Sequence, residues 1–98
     1  MTRLTAELTK LESGKHKYKV VVSNGRTKTI RFGARGYEDY TTHKDPERKE
    51  RYIKRHQVRE DWEDPYTAGF WSRYLLWGEP TIAESKRVIS DKFDIDFI

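Results

Sequence analysis

Apolar residues along the chain follow two different spacings, and the first of them is a strict alternation. Tyr18 and Val20 stand between polar neighbours, and Ile30 and Phe32 repeat the pattern further on. Alternation of this kind is typical of a strand with one buried face. The pattern therefore predicts a β-hairpin over residues 15–32.

The turn of this hairpin contains Asn24-Gly25, a pair typical of two-residue hairpin loops. A two-residue loop, however, would put the apolar residues of the two strands on opposite faces of the sheet. We therefore predict a three-residue loop, Ser23-Asn24-Gly25, with Tyr18 opposite Ile30. Gly25 then takes the left-handed backbone conformation that such a loop requires.

Three later segments have helical spacing. Asp45-Pro46 is a favourable start for a helix, since Asp caps the first turn and Pro fits within it. Thr81 and Glu84 form a capping box at the start of another. The middle helix has the widest apolar face and is expected to be the most buried. The predicted helices cover residues 46–60, 67–77 and 82–93.

The two ends of the chain have weaker patterns. Leu4, Leu8 and Leu11 have helical spacing, so residues 1–14 are interpreted as a peripheral segment, either a short helix or a loose arm. Residues 93–97 alternate and predict a short strand, which is compatible with a third strand beside the hairpin. The predicted fold class is α+β, a single domain over 1–98 in which a two- or three-stranded sheet is packed by three helices.

The amino-acid composition restricts which kinds of protein this chain can be. The 98 residues suffice for one small core, to which three Trp, six Tyr and four Phe contribute most of the apolar area. The absence of Cys excludes disulfides and thiolate metal sites, and it favours a reducing, intracellular compartment. No apolar run approaches the roughly 20 residues of a membrane span, so no membrane partner is expected.

Charge is distributed unevenly. Residues 1–56 contain 15 Lys and Arg against 7 Asp and Glu, whereas residues 57–98 contain 5 against 9. The basic half indicates an anionic partner. The alternative is that the acidic half folds against the basic half and neutralises it.

The strongest candidate site is a stripe of arginines on the first predicted helix. Guanidinium groups bind phosphate well, so this face, extended by cations of the hairpin and the loop after it, predicts contact with DNA or RNA. The alternative is a solvated face on which Glu47 and Glu50 neutralise the arginines through helical pairs. The candidate nucleic-acid-binding residues are Arg48, Arg51, Arg55 and Arg59 on the stripe, with Lys28, Arg31 and Arg35 beside it and Lys15 and Lys17 nearby.

The other motifs of the sequence are weaker evidence for a functional site. Gly33 and Gly36 have the spacing of a KH-domain loop, but that loop joins two helices and a strand precedes this one. They are better explained as residues that permit unusual backbone angles. No acidic or histidine set has metal-ligand spacing, so no catalytic residue, metal or cofactor is predicted. The residues considered for such a site were Asp39, His43, Asp45, His56 and Glu60.

One long stretch resembles the signature of a small uncharacterised protein family of large DNA viruses, including viruses of algae. The resemblance implies a viral context, and hence an infected host cell or a virion as the location. It implies no activity, and no functional residue is transferred by it. It begins with the run Phe32-Gly33-Ala34-Arg35-Gly36-Tyr37-Glu38-Asp39-Tyr40-Thr41-Thr42-His43-Lys44-Asp45 and continues through residues 48–49, 52–53, 55–56, 67–74 and 76–77.

Three functions follow as hypotheses. The preferred one is a non-enzymatic viral accessory protein that binds DNA or RNA through the arginine stripe. The first alternative is a virion component or a module that binds host proteins, for which Trp62, between two acidic residues, is the best exposed aromatic candidate. The second alternative is a small metal-dependent nuclease.

Overall fold

A mixed four-stranded sheet, packed by helices on one of its faces, organises residues 4–98, the part of the chain that the computed structural model describes. The strands lie in the order β3-β2-β1-β4. β1 pairs antiparallel with β2 and parallel with β4, while β2 and β3 form the predicted antiparallel hairpin. The strands are β1 Leu4–Lys10, β2 His16–Ser23, β3 Thr27–Ala34 and β4 Ile95–Phe97.

The helices begin at the capping residues that the sequence indicates. The Asp45 carboxylate accepts a hydrogen bond from the Glu47 amide at 3.0 Å, and the Thr81 hydroxyl accepts one from the Glu84 amide at 3.2 Å. The predicted α+β class is confirmed. The helices are α1 Tyr40–His43, α2 Pro46–His56, α3 Ala68–Trp71, which continues as a π-helical segment Ser72–Leu76, and α4 Ile82–Phe93.

The core lies between the even-numbered side chains of β1 to β3 and the segment from α3 to α4. Trp71 is fully buried there, and its indole N–H donates to the Pro65 carbonyl at 2.8 Å. Leu75 is also fully buried, so the predicted inaccessibility of these two residues is confirmed. The rings of Phe32 and Phe70 lie 6.4 and 5.0 Å from that of Trp71.

The interpretation of the N-terminal segment as a short helix or loose arm is wrong for Leu4–Lys10, which form an inner strand of the sheet. Leu4 and Ala6 are buried on the core face. Leu4, Ala6 and Leu8 alternate, whereas Leu4, Leu8 and Leu11 have helical spacing, and pairing with two neighbouring strands selects the extended form. Residues 1–3 of the predicted peripheral segment lie outside the described residues.

The C-terminal strand exists, but its predicted partner is wrong. Ile95–Phe97 pair in parallel with β1 and not with the hairpin. Asp94, in the left-handed conformation at φ 57°, ends α4 and turns the chain into the strand. Ile95 then enters the core beside Leu4.

The hairpin loop has three residues, as predicted, but it is displaced by one position. Its residues are Asn24, Gly25 and Arg26, because Ser23 pairs with Thr27. The predicted pairing of Tyr18 with Ile30 is therefore wrong. The predicted common face and the positive φ of Gly25, 79°, are confirmed.

Two of the predicted helices have different bounds. α2 ends at His56 instead of residue 60, because the chain turns there and the Arg59 amide donates to the His56 carbonyl at 3.0 Å. The helix predicted over 67–77 changes from α to π at Ser72, and the Trp77 amide donates to the Ser72 carbonyl at 3.1 Å. A π turn holds more residues than an α turn, so Trp77 departs from the face that helical spacing assigned to it.

The burial of Trp71 generates a prediction for stability. Trp71→Ala should lower the free energy of unfolding by about 3–5 kcal/mol, because it leaves a large cavity beside Phe32 and Phe70. Urea denaturation followed by circular dichroism measures the change. Val88→Ala on the exposed side of α4 is the control and should change stability by less than about 1 kcal/mol. Equal stability of the two variants would contradict the central position of Trp71.

Candidate functional site

A cleft of about 620 Å³ opens between α2, the loop that follows β3, and the segment from α3 through the π-helical turn. Small residues on the third wall, Ala68, Gly69 and Ser72, leave much of its volume open. Its size is in the range of ligand-binding clefts. Its charged and titratable lining residues are Lys17, Glu38, Asp39, Arg48, Arg51, Arg55, His56 and Glu60.

α2 carries three arginines of the predicted stripe along one wall of this cleft. Arg48, Arg51 and Arg55 are spaced by three and four residues, so they lie on one side of the helix. The same helix turns Tyr52 towards the body of the domain, where it is buried. The side of α2 that carries the arginines therefore adjoins the side that packs against the domain, and the cleft lies along the boundary between these two sides of the helix.

A stack of aromatic rings attaches α2 to the π-helical segment. The rings of Tyr52 and Trp77 are nearly parallel, with centroids 4.4 Å apart and an angle of 2° between their planes. His56 stacks on the other side of Tyr52 at 4.3 Å, and His43 lies 5.2 Å from Trp77. Burial, and to a lesser extent the charge of Glu60, raises the pKa of Tyr52 well above its ordinary value. Tyr52 therefore remains a neutral phenol.

One cationic side chain, Lys49, reinforces this attachment, and a second, Arg73, bonds within the segment that carries Trp77. The Lys49 ammonium donates to the Gly78 carbonyl at 2.7 Å, and the Arg73 guanidinium donates to the Trp77 carbonyl at 3.1 Å. Partial burial lowers the pKa of both groups, and for Lys49 the nearby charge of Arg73 acts in the same direction. Both side chains therefore stabilise the third wall of the cleft, which is the segment from α3 through the π-helical turn.

Glu60 closes one end of the cleft and is held by three elements. Its carboxylate pairs with His56 Nδ1 at 3.0 Å and accepts a hydrogen bond from the Trp62 indole at 2.6 Å. A Cβ atom on Gly69 would lie 2.9 Å from the carboxylate, so a larger residue there would displace the Glu60 side chain. Gly69 is therefore the place where Glu60 packs against the third wall.

The loop after β3 forms the opposite wall, and Lys17 fixes it. The Lys17 ammonium pairs with the Asp39 carboxylate at 2.8 Å and also donates to the Tyr37 carbonyl. Asp39, only 4% exposed, caps α1 by accepting from the Thr41 amide at 3.0 Å. Gly33 and Gly36 enter and leave the turn with φ of 78° and 94°, as the G-x-x-G spacing predicts.

The arginines of the cleft differ in their partners. Arg48 lies 3.5 Å from the Glu38 carboxylate. Within residues 4–98, by contrast, Arg51 and Arg55 have no acidic group within ion-pair distance, and neither Glu47 nor Glu50 pairs with an arginine. Glu47 and Glu50 therefore form no direct ion pair with the arginine stripe in this part of the chain.

Arg35 is a predicted site residue that does not line the cleft. Arg35 donates to the carbonyls of Gly14 and Leu11, each at 2.8 Å, and to that of His16 at 3.2 Å. It thereby holds the connection between β1 and β2. The Arg35 guanidinium group therefore bonds to backbone carbonyls of the chain itself. The positions of charged residues along the sequence do not reveal these contacts.

Lys28, Arg31 and Arg59 are also separate from the three arginines of the cleft. Lys28 donates to the Tyr66 carbonyl at 3.0 Å. Arg31 lies opposite Lys19 on the sheet face that the helices leave open. Arg59 follows the end of α2, so it does not continue the helical stripe. Of the nine candidate residues, the structure brings Arg48, Arg51 and Arg55 together on one wall of the cleft, and Lys17 lies on the opposite wall.

The residues considered for metal binding or acid–base chemistry do not form one group, although His56 pairs with Glu60. His43 Nδ1 accepts from the Asp45 amide at 2.9 Å, and Asp45 caps α2. Across residues 4–98 there is no group of three or more His, Asp or Glu side chains placed to hold a metal ion. In the same range, no helix combines the length and apolar character needed to cross a bilayer.

Comparison with known proteins gives one match. Residues 6–56 match the model of a family described as a family of unknown function (DUF5754). The matched range contains β1 to β3, the loop after β3 and α2, and so two of the three walls of the cleft. No curated protein and no solved structure matches the chain.

The different roles of the arginines can be tested by stability alone. Arg35→Gln should destabilise the fold by about 1–3 kcal/mol, because three backbone carbonyls lose a charged donor. Arg51→Gln, a matched loss of one charge, should change stability by less than about 0.5 kcal/mol. The midpoints of urea unfolding compare the two variants. A larger loss for Arg51→Gln would mean that the cleft arginine is structural.

Proposed function

This chain belongs to the family of unknown function (DUF5754), and we propose that it is a non-enzymatic protein that binds DNA or RNA through the arginine wall of its cleft. The observation that carries the proposal is the state of Arg51 and Arg55. Both are exposed, both line the cleft, and neither has an acidic partner within residues 4–98. Guanidinium groups in this state are available to phosphate.

The charges around them support the same conclusion. Glu38 and Asp39, the acids of the opposite wall, are each paired with a cation, and Glu60 is held by His56 and Trp62. Glu38 and Asp39 are therefore balanced by cations, while Glu60 is hydrogen-bonded. A phosphate backbone approaching α2 meets two unpaired guanidinium groups against the single charge of Glu60.

Residues 32–80 resemble proteins of large DNA viruses, and we therefore propose a viral context for this binding. A small basic protein that binds nucleic acid independently of its sequence suits a viral accessory role in the infected cell or in the virion. A virion or host-protein interaction module is the alternative, and it predicts self-association or protein partners in place of salt-sensitive binding of nucleic acid. A metal-dependent nuclease finds no ligand cluster within residues 4–98.

The proposal predicts a specific salt dependence. Fluorescence anisotropy with labelled DNA and RNA, each over a series of salt concentrations, measures the slope of log affinity against log salt. Arg51→Gln with Arg55→Gln should weaken binding to every sequence alike and flatten this slope by about two, since two phosphate contacts are lost. Replacement of both by Lys should preserve more of the affinity, because charge dominates non-specific contact.

The control variant removes the same number of positive charges, two, at positions outside the cleft. Arg31→Gln with Arg87→Gln changes two exposed arginines outside the cleft, one on the open sheet face and one on α4. This variant should keep the slope of the native protein. Equal flattening by both double variants would assign the effect to net charge and not to the cleft. Absence of binding by the native protein at low salt would contradict the proposal as a whole.

A further inference from the structure

We infer that the cleft takes a single strand, DNA or RNA, with one unpaired base stacked on Tyr37 while the neighbouring phosphates contact Arg51 and Arg55. The inference rests on the proposed nucleic-acid binding and specifies its substrate class. Its basis is an exposed aromatic ring on the wall of the cleft that faces α2.

Tyr37 is unlike the other tyrosines of the described chain. It is 74% exposed, and within residues 4–98 its ring makes none of the aromatic stacking contacts found for Tyr18, Tyr52 or Tyr74. Its backbone is nevertheless held, because its carbonyl accepts from the Lys17 ammonium. A ring that is exposed while its backbone is fixed offers a stacking surface at a small cost in ordering.

The surroundings of the ring favour a nucleic-acid base over an acidic peptide or a bare phosphate. Tyr37 stands beside Glu38 and Asp39, whose charges are balanced by Arg48 and Lys17. An anion placed directly on the ring would lie next to these acids, whereas an uncharged base would not be repelled. An uncharged base therefore fits beside the ring on the loop after β3, and phosphates fit beside the guanidinium groups of α2.

The concave shape selects a single strand. In a duplex the bases are stacked inside and only backbone and groove edges are accessible, so no base face can reach a ring inside a cleft. In a single strand each base can turn out and stack on an aromatic side chain next to a cationic groove. A volume of about 620 Å³ leaves room for an unpaired nucleotide between the loop and α2.

The test uses the full chain with labelled oligonucleotides of one length: single-stranded DNA, single-stranded RNA and duplex DNA. The native protein should bind the single strands more tightly than the duplex. Tyr37→Ala should reduce single-strand affinity by about 5- to 100-fold, the usual range for loss of one stacked base, and leave duplex affinity and the salt slope unchanged. Tyr37→Phe should retain native affinity, because stacking needs the ring and not the hydroxyl.

Two further measurements separate stacking from other effects. Single strands made entirely of abasic sites should bind the native protein and the Tyr37→Ala variant equally. Val58→Ala, which truncates another strongly exposed apolar side chain outside the cleft lining, should bind all probes like the native protein. Both results would support a base on Tyr37.

The outcomes distinguish this inference from the proposed function. Salt-sensitive binding that is equal for single strand and duplex, and unchanged in Tyr37→Ala, overturns the single-strand inference and leaves the role of Arg51 and Arg55 intact. A loss in Tyr37→Ala that is equal for normal and abasic strands also overturns it. Absence of binding to any probe overturns both.

Discussion

The face-to-face contact between Tyr52 and Trp77 holds α2 against the domain, and the cleft depends on it. α2 is strongly polar, and Tyr52 is its only buried residue. A helix with so little apolar surface cannot rely on general hydrophobic burial for its position. Two large rings stacked at 4.4 Å, with His56 behind them and Lys49 bonded to the Gly78 carbonyl, supply the missing contact.

This attachment has a consequence for charge. Because packing uses only a narrow face of α2, most of the helix is left for charged side chains, and Arg51 and Arg55 need no partner for the helix to stay in place. No acidic group of residues 57–98 lies within ion-pair distance of these two arginines. The proposed binding of nucleic acid rests on these unpaired cations beside the cleft.

The wall opposite α2 has a different physical basis. Lys17, from the start of β2, holds the loop after β3 through Asp39 and the Tyr37 carbonyl, and Asp39 caps the short helix that follows. Gly33 is required for its positive φ and also because a Cβ atom would lie 2.7 Å from Leu76. The sheet thus positions the loop, and the loop leaves the ring of Tyr37 at the cleft.

Features that depend on neighbouring residues follow from the sequence alone. The side chains of Asp45 and Thr81 accept hydrogen bonds from first-turn amides of α2 and α4, and Pro46 fits the first turn because it has no N–H, so the starts of both helices follow from local chemistry. Gly25 permits a backbone angle that other residues resist, so the hairpin follows in the same way. The buried position of Trp71 follows from the wide apolar face of its segment.

Features that depend on distant contacts required the three-dimensional fold. The first residues allow a helical face of Leu4, Leu8 and Leu11 or an alternating strand of Leu4, Ala6 and Leu8, and pairing with β2 and β4 makes them a strand. The arginines look alike along the chain, yet Arg35 serves three carbonyls while Arg51 and Arg55 stay unpaired, because a guanidinium binds whatever acceptors the fold brings near it. Strand partners and ion pairs join residues far apart in sequence, and local patterns do not specify which of them meet.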